Sequence, residues 1–168
     1  DSKIKTFSVE EGLPHSYIVD MFEDQNKNLW IGTMAGLVKF EKGILNESFM
    51  QNKYSEAVVG PICEDKNNTI WFGTYGKGLY QIKDNKLVRY TNENGLLSNS
   101  IIVLCADTRG GLWVGTDNGL NYLINGMVKS YNEKNGLSNN SIQCLYKDDQ
   151  KRIWVGSENG IDIFQNEQ

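Results

Sequence analysis

The stretch Asp107-Thr-Arg-Gly-Gly-Leu-Trp-Val-Gly-Thr-Asp-Asn-Gly-Leu120 decides how the chain is read, because it occurs four times. Its other copies occupy residues 24–37, 65–79 and 148–161. The tryptophans they carry, Trp30, Trp71, Trp113 and Trp154, stand 41, 42 and 41 residues apart. A fixed period of that length marks a repeat architecture and is read before anything else.

Working outward from each tryptophan, the glycine two residues on (Gly32, Gly73, Gly115 or Gly156) has no side chain and lets a neighbouring sheet come close. Six residues before each tryptophan stands Asp24, Asp65, Asp107 or Asp148, opening a polar hairpin turn. No second carboxylate recurs with these aspartates. They are expected to hold the turn through side-chain-to-backbone bonds rather than to bind metal. Apolar runs at 18–22, 59–63, 101–105 and 142–146 precede the turns and read as strands buried on both faces. A third strand begins at Leu37, Leu79, Leu120 or Ile161, and a fourth follows a turn at Lys42-Gly43, Asp84-Asn85 or Asn125-Gly126. No stretch has the 3.6-residue pattern of a helix.

Four short strands per repeat, with one Trp-Gly motif each, describe an all-β fold: a β-propeller built of four-stranded blades. The whole chain, 1–168, is expected to be propeller, with blades at about 12–50, 53–91, 95–132 and 136–168. The opening Lys3-Ile-Lys-Thr-Phe7 aligns with fourth strands that end at Tyr90 and Tyr131, while the last repeat stops short of its own. Segment 3–7 is therefore expected to complete the last blade, within one chain or between two. A ring built from more than this one chain, either a homodimer of eight blades or a longer single-chain ring of which this is a fragment, is preferred to a closed four-blade monomer. The tryptophans are expected to pack one blade on the next.

Composition narrows the function. The 168 residues carry formal charge −4, 39% apolar residues, 17 glycines and 2 prolines, which gives one globular unit with a sizeable core. A mildly acidic chain without a Lys/Arg cluster offers nothing to nucleic acid. No apolar run is long enough to span a membrane, and no secretory leader is visible. The chain opens at Asp1 without a methionine and is read as a processed or excised piece. Cys63, Cys105 and Cys144 have no ligand spacing. The position shared by Cys63 and Cys105 holds Phe22 and Tyr146 in the other repeats, which makes it a packing slot. Neither a cofactor nor a metal site is expected.

If the first strand of a blade is innermost, the loops between blades share one face with the loops joining second and third strands. There the repeats disagree, and the candidate ligand-binding residues are His15, Tyr17, Tyr54, Glu56, Tyr75, Lys77, Asn99, Asp117, Asn118, Asn139, Glu158 and Asn159. Tyrosine faces stack, and amides and carboxylates bond hydroxyls, so the mixture suits an oligosaccharide or another small polar ligand. Ordinary solvated loops are the plain alternative. Catalysis finds little support: His15 has no Ser in a strained elbow. A carboxylate pair drawn from Glu56, Asp117 and Glu158 is the one glycosidase-like option.

The unit Gly-Leu-Ser-Asn-Asn-Ser-Ile142 followed by Asp148, Trp154, Gly156 and Gly160 resembles the two-component-regulator propeller repeat, and the resemblance covers all four copies. It implies the periplasmic or extracellular sensor region of a membrane-anchored hybrid histidine kinase or related signalling protein, often one that senses glycans. Such receptors typically carry seven-bladed propellers and an immunoglobulin-like domain. The resemblance brings no ligand-binding residues with it. A protein-interaction scaffold without a ligand of its own is the second reading.

Overall fold

The computed structural model describes residues 3–46 and 57–165. Its strands fall into four antiparallel sheets. The first holds β1 (Ile18–Glu23), β2 (Leu29–Thr33), β3 (Gly36–Glu41) and β4 (Ile44–Asn46), in that order. The second holds β5 (Val59–Glu64), β6 (Ile70–Thr74), β7 (Gly78–Lys83) and β8 (Lys86–Tyr90). The third holds β9 (Ile101–Ala106), β10 (Leu112–Thr116), β11 (Gly119–Ile124) and β12 (Met127–Tyr131). The fourth has three strands, β13 (Ile142–Lys147), β14 (Ile153–Ser157) and β15 (Gly160–Phe164). These are propeller blades, as the repeat predicted.

Local chemistry sets the hairpins. The turn between third and fourth strands has two residues with positive φ in each of the first three blades: Lys42 and Gly43 (51° and 86°), Asp84 and Asn85 (49° and 58°), Asn125 and Gly126 (51° and 77°). That is the mirror-image turn whose twist matches the flanking strands, and Asn, Asp and Gly tolerate it. At the opposite end of the strands, Thr33, Thr74, Thr116 and Ser157 close the loop between second and third strands. Each hydroxyl donates to a glycine carbonyl, at 2.9, 2.7, 2.7 and 3.2 Å.

The core lies between blades. Trp30 packs with Val59, Phe72 and Tyr80 of the second blade. Trp71 does the same with Ile101 and Val114 of the third, and Trp113 with Ile142 and Val155 of the fourth. Removing such a side chain costs about 3–5 kcal/mol. The glycines allow the close approach: a Cβ on Gly73 would lie 2.4 Å from Ile101 Cγ2, and one on Gly115 would lie 2.6 Å from Ile142 Cγ2.

The inner strands β1, β5, β9 and β13 succeed one another around an arc whose two end faces are uncovered. Of the two ways in which segment 3–7 was expected to complete the last blade, the one within a single chain is not formed. Segment 3–7 forms no strand in this single chain and does not pair with β15. It lies instead at the leading face of the first blade, where Phe7 meets the Phe40 ring edge-on with centroids 5.2 Å apart. The physical reason is position: that face and β15 are at opposite ends of the arc. A four-blade ring closed within one chain is therefore not what this structure forms.

Candidate functional site

The two ends of the blades differ in what their polar groups do. At one end the four aspartate turns are closed structural units. Asp24 Oδ1 accepts from Asn28 N at 2.9 Å, and Asp65 Oδ1 accepts from Asn67 N and Thr69 N at 2.8 and 3.1 Å. Asp107 Oδ1 accepts from Arg109 N and Gly111 N at 2.7 and 3.0 Å, and Asp148 Oδ1 from Arg152 N at 2.9 Å. The second oxygen does something the sequence reading missed. In three blades it accepts the indole N–H of the repeat's own tryptophan, at 2.9 Å for Trp30, 3.0 Å for Trp71 and 2.8 Å for Trp154. The constant six-residue spacing was the available signal for this clamp.

The third blade departs from the pattern. Tyr122 donates to Asp107 Oδ2 at 2.6 Å, Arg109 Nε donates to the same oxygen at 3.2 Å, and the buried Trp113 Nε1 has no acceptor. Burial pushes the Tyr122 phenol up to about 12, with the hydrogen bond to Asp107 adding to it. For Asp24 and Asp107 burial opposes ionisation, but hydrogen bonds prevail and lower both, chiefly those from Asn28 and Trp30 in one and Tyr122 in the other. The Trp154 bond, helped by Arg152, takes Asp148 to about 2.

The opposite end carries the candidate ligand residues. In three blades the loop between second and third strands sits on the residue that precedes or begins the inner strand. Met34 N donates to Tyr17 O at 3.2 Å, Tyr75 N to Val58 O at 3.2 Å, and Glu158 N to Ser141 O at 3.3 Å. These bonds set Tyr17, Tyr75 and Glu158 at the same end of their blades. Neighbouring blades are stitched there too: Gly76 N and Gly78 N both donate to Asn99 O, at 3.1 and 2.8 Å, and Asn118 Nδ2 donates to Leu97 O at 3.2 Å. Tyr17, Tyr75, Lys77, Asp117, Asn118, Glu158 and Asn159 are all exposed. Tyr54 and Glu56 lie outside the described residues.

Three of the candidates have structural duties. His15 Nδ1 accepts from Tyr17 N at 2.9 Å, as Ser98 Oγ does from Ser100 N and Asn139 Oδ1 from Ser141 N, at 3.0 and 2.8 Å. So the one histidine fills a turn-acceptor position that Ser and Asn fill elsewhere. Asn99 takes a different position in its loop: its Oδ1 accepts from Asn92 N at 2.9 Å, a role that Asn140 plays for Glu133 N.

Cavities lie elsewhere, at the rim between blades. A groove of about 430 Å³ is lined by Lys39, Glu41, Asn46, Lys86 and Leu87. A larger one, about 660 Å³, is lined by Arg109, Trp113, Tyr122, Met127, Tyr131 and Phe164. None of the described loop candidates lines either groove. The clue to the larger one was the fourth strand that the last repeat lacks. Among the described residues no His, Cys, Asp and Glu group could hold a metal ion, no helix is long and apolar enough to cross a membrane, and all three thiols are unpaired.

Comparison with known proteins places this geometry in a family. A family model described as "Two component regulator propeller" matches residues 12–35, 54–76, 95–118 and 136–159, one match per blade. The chain is similar to Histidine kinase P4 of Formosa agariphila, with 33% identity over 85 residues that make up 45% of this chain and 6% of that one. The extracellular domain of a one component system from B. thetaiotaomicron superposes with TM-score 0.80 at 26% identity, over 99% of this chain and 24% of that one. The extracellular domain of a hybrid two component system from the same organism gives TM-score 0.76 at 26% identity, over 87% of this chain and 21% of that one. A streptogramin B lyase shares the fold alone, at TM-score 0.69 and 18% identity. The chain thus spans a quarter or less of the signalling proteins it matches.

Proposed function

The chain belongs to the two component regulator propeller family, and on that premise we propose that it is a ligand-sensing module of a bacterial signal-transduction receptor. It works outside the membrane, as part of a larger protein, and its ligand is a glycan or another small polar molecule. The observation that carries this reading is the unequal use of the two ends of the blades. At the aspartate end, carboxylates are held by backbone amides, indoles or a phenol. At the other end, backbone bonds hold Tyr17, Tyr75 and Glu158 in place, and these three present their side chains to solvent together with Lys77, Asp117 and Asn159. Exposed aromatic faces beside amides and carboxylates are what a sugar uses. The similarity to extracellular domains of one and two component systems supports the location and the signalling role.

The test is a thermal-shift screen of oligosaccharides against the parent chain and its Tyr75→Ala and Tyr17→Ala variants. A ligand at a hundredfold excess over its Kd stabilises by about 2.7 kcal/mol. The expected result is a stabilising sugar whose effect is lost in the variants. Protection that survives both substitutions, or no protection across the screen, refutes the reading. The uncovered end faces favour a second reading, a scaffold that assembles with other blades. Glycoside hydrolysis through Asp117 and Glu158 ranks behind both, and Asp117→Asn with Glu158→Gln tests it through turnover of a chromogenic glycoside.

A further inference from the structure

The second and third blades each have a neighbour on both sides, so what their loops expose is their own. The loop joining β6 and β7 in the second blade departs from the repeat. Three residues, Tyr75, Gly76 and Lys77, stand between Thr74 and Gly78, where the other blades have two. Gly76 takes a φ of 83°, a conformation that glycine adopts at no steric cost. It also gives the loop a hold on the next blade. Gly76 N and Gly78 N both donate to Asn99 O, at 3.1 and 2.8 Å, while Tyr75 N donates to Val58 O at 3.2 Å. The backbone of Tyr75 is thus fixed by bonds to two blades.

A second departure lies under the first. Each inner strand breaks register near its start, between Ile18 and Asp20, Val59 and Ile62, Ile101 and Val103, and Ile142 and Cys144. Such bulges re-aim a side chain. The residues inside them are Val19, Gly60 with Pro61, Ile102 and Gln143, so only the second blade has glycine there. The ring of Tyr75 uses that space. A Cβ on Gly60 would lie 3.5 Å from Tyr75 Cε2, 3.8 Å from Ile101 O and 3.9 Å from Gly73 O. The ring therefore leans from its loop onto the inner strand of its own blade, and the residue stays 49% exposed. The other loops have Met34, Asp117 and Glu158 at this position. In the fourth blade Glu158 Oε1 accepts from Gln143 Nε2 at 3.5 Å, so there too the first loop residue meets the bulge. Only in the second blade is the meeting an aromatic ring on bare backbone.

A ring supported by backbone, half exposed and carried on a loop with three backbone bonds has little conformational freedom left to lose on binding. The C–H face of a sugar ring is the small-molecule surface that fits it, which leaves hydroxyls at the sugar's edge for amides and carboxylates. Charge narrows the class. The loops joining second and third strands hold one cation, Lys77, against Asp117 and Glu158. Arg89, beside this loop, is engaged: its Nε donates to Lys77 O at 2.7 Å and its guanidinium lies over the Tyr80 ring. Sulfate and carboxylate groups are recognised by forked or converging Arg and Lys donors, and this loop offers no such set.

We propose that Tyr75, seated over Gly60, is the stacking platform for one ring of an uncharged saccharide, and that Gly60 is the residue that positions it. This rests on the sensing role proposed for the chain. It narrows the ligand from any polar molecule to neutral sugars, and the site from one end of every blade to the second blade.

Isothermal titration calorimetry on the chain tests this. One arm uses neutral gluco-, manno-, xylo- and arabino-oligosaccharides, the other oligogalacturonates and sulfated disaccharides. A neutral sugar is expected to bind, with Kd raised about tenfold in Tyr75→Ala, the size of a stacking contact, and kept in Tyr75→Trp. Gly60→Val installs the residue that the first blade has at this place, Val19, and its methyls take the seat of the ring. It is expected to weaken binding as Tyr75→Ala does, with the Tm of the free chain unchanged, and to weaken it no further in the Tyr75→Ala background. Gly60→Ala, whose Cβ meets the ring at an ordinary 3.5 Å, is expected to bind as the parent does. Preference for the anionic arm, or a neutral sugar that needs Tyr17 but not Tyr75, overturns the proposal and leaves the sensing role standing. A lowered Tm for Gly60→Val, or a further loss in the Tyr75→Ala background, makes Gly60 structural and overturns its positioning role. No binding in either arm removes the sensing role and this proposal together.

Discussion

Gly73→Ala tests the claim that blades are held by direct contact across a glycine. The added Cβ would stand 2.4 Å from Ile101 Cγ2, 2.6 Å from Ile101 Cβ and 3.1 Å from Pro61 Cγ. Carbon atoms rest about 3.5–4.0 Å apart, so the blades must separate by roughly an ångström or Ile101 must leave its rotamer. Ile101 is fully buried and has nowhere to turn. Overpacking of this kind costs about 1–3 kcal/mol, and the depth of the overlap puts Gly73→Ala at the upper end. In a chain of this length each kcal/mol moves Tm by about 2–4 °C, so a fall of about 4–10 °C is expected. The control is Gly156→Ala. Its Cβ would meet Cys144 Sγ at 2.5 Å and Cys144 O at an ordinary 3.8 Å, and that exposed thiol can rotate away. Unfolding of both variants is followed by circular dichroism. Equal costs for the two glycines, or an unchanged Tm for Gly73→Ala, refute the contact argument.

The remaining expectations concern the aspartate turns and the thiols. The folded carboxyls of Asp24, Asp107 and Asp148 hold their protons less tightly than in the unfolded chain. Their contribution to stability is complete above the unfolded value of about 4 and is lost as pH falls through the folded range, about 2 for Asp148. Urea midpoints measured between pH 6 and pH 2, as approximate limits, should drop mainly below that unfolded value, and a flat profile there contradicts the clamp. Asp107→Ala should cost about 1–3 kcal/mol, because it strips the acceptor from Tyr122 and from two backbone amides. Tyr122→Phe should cost less than about 1 kcal/mol, because Asp107 Oδ2 then becomes available to Trp113 Nε1 as in the other blades; a larger loss in denaturant titration counts against that exchange. Burial raises the Cys63 and Cys105 thiols, whereas Cys144 is exposed. A thiol reagent should therefore modify one cysteine in the native protein and three after denaturation.

How much could be read from the chain depended on whether a contact recurs. The strands, the blade period and the packing role of Trp30, Trp71 and Trp113 were legible because each is imposed four times at fixed spacing. The structural duty of the aspartates was legible for the same reason, though the indole clamp was not, since spacing alone does not say which atom an oxygen faces. The likeness of segment 3–7 to the fourth strands ending at Tyr90 and Tyr131 was readable, although the segment forms no strand in this structure. Whose third strand it serves was not, because alignment carries no information on which end of an arc a segment reaches. The candidate ligand residues were picked where the repeats disagree, and disagreement has two causes. His15 differs from Ser98 and Asn139 yet makes the same turn bond, so variation there reflects several side chains meeting one local requirement. The rim groove went unseen because it is the imprint of a missing strand rather than of residues present.

The β-branched residue twelve positions before each tryptophan and the glycine two positions after it are two halves of one joint, written into every repeat. A block of about 41 residues copied into the chain at a blade boundary would meet a fitting surface on either side without any further substitution. Growth or loss of whole blades is therefore a small structural step for such a chain. What resists change is the phase of the cut. Moving the boundary within a blade would instead separate a third strand from its fourth and split a hairpin between two units.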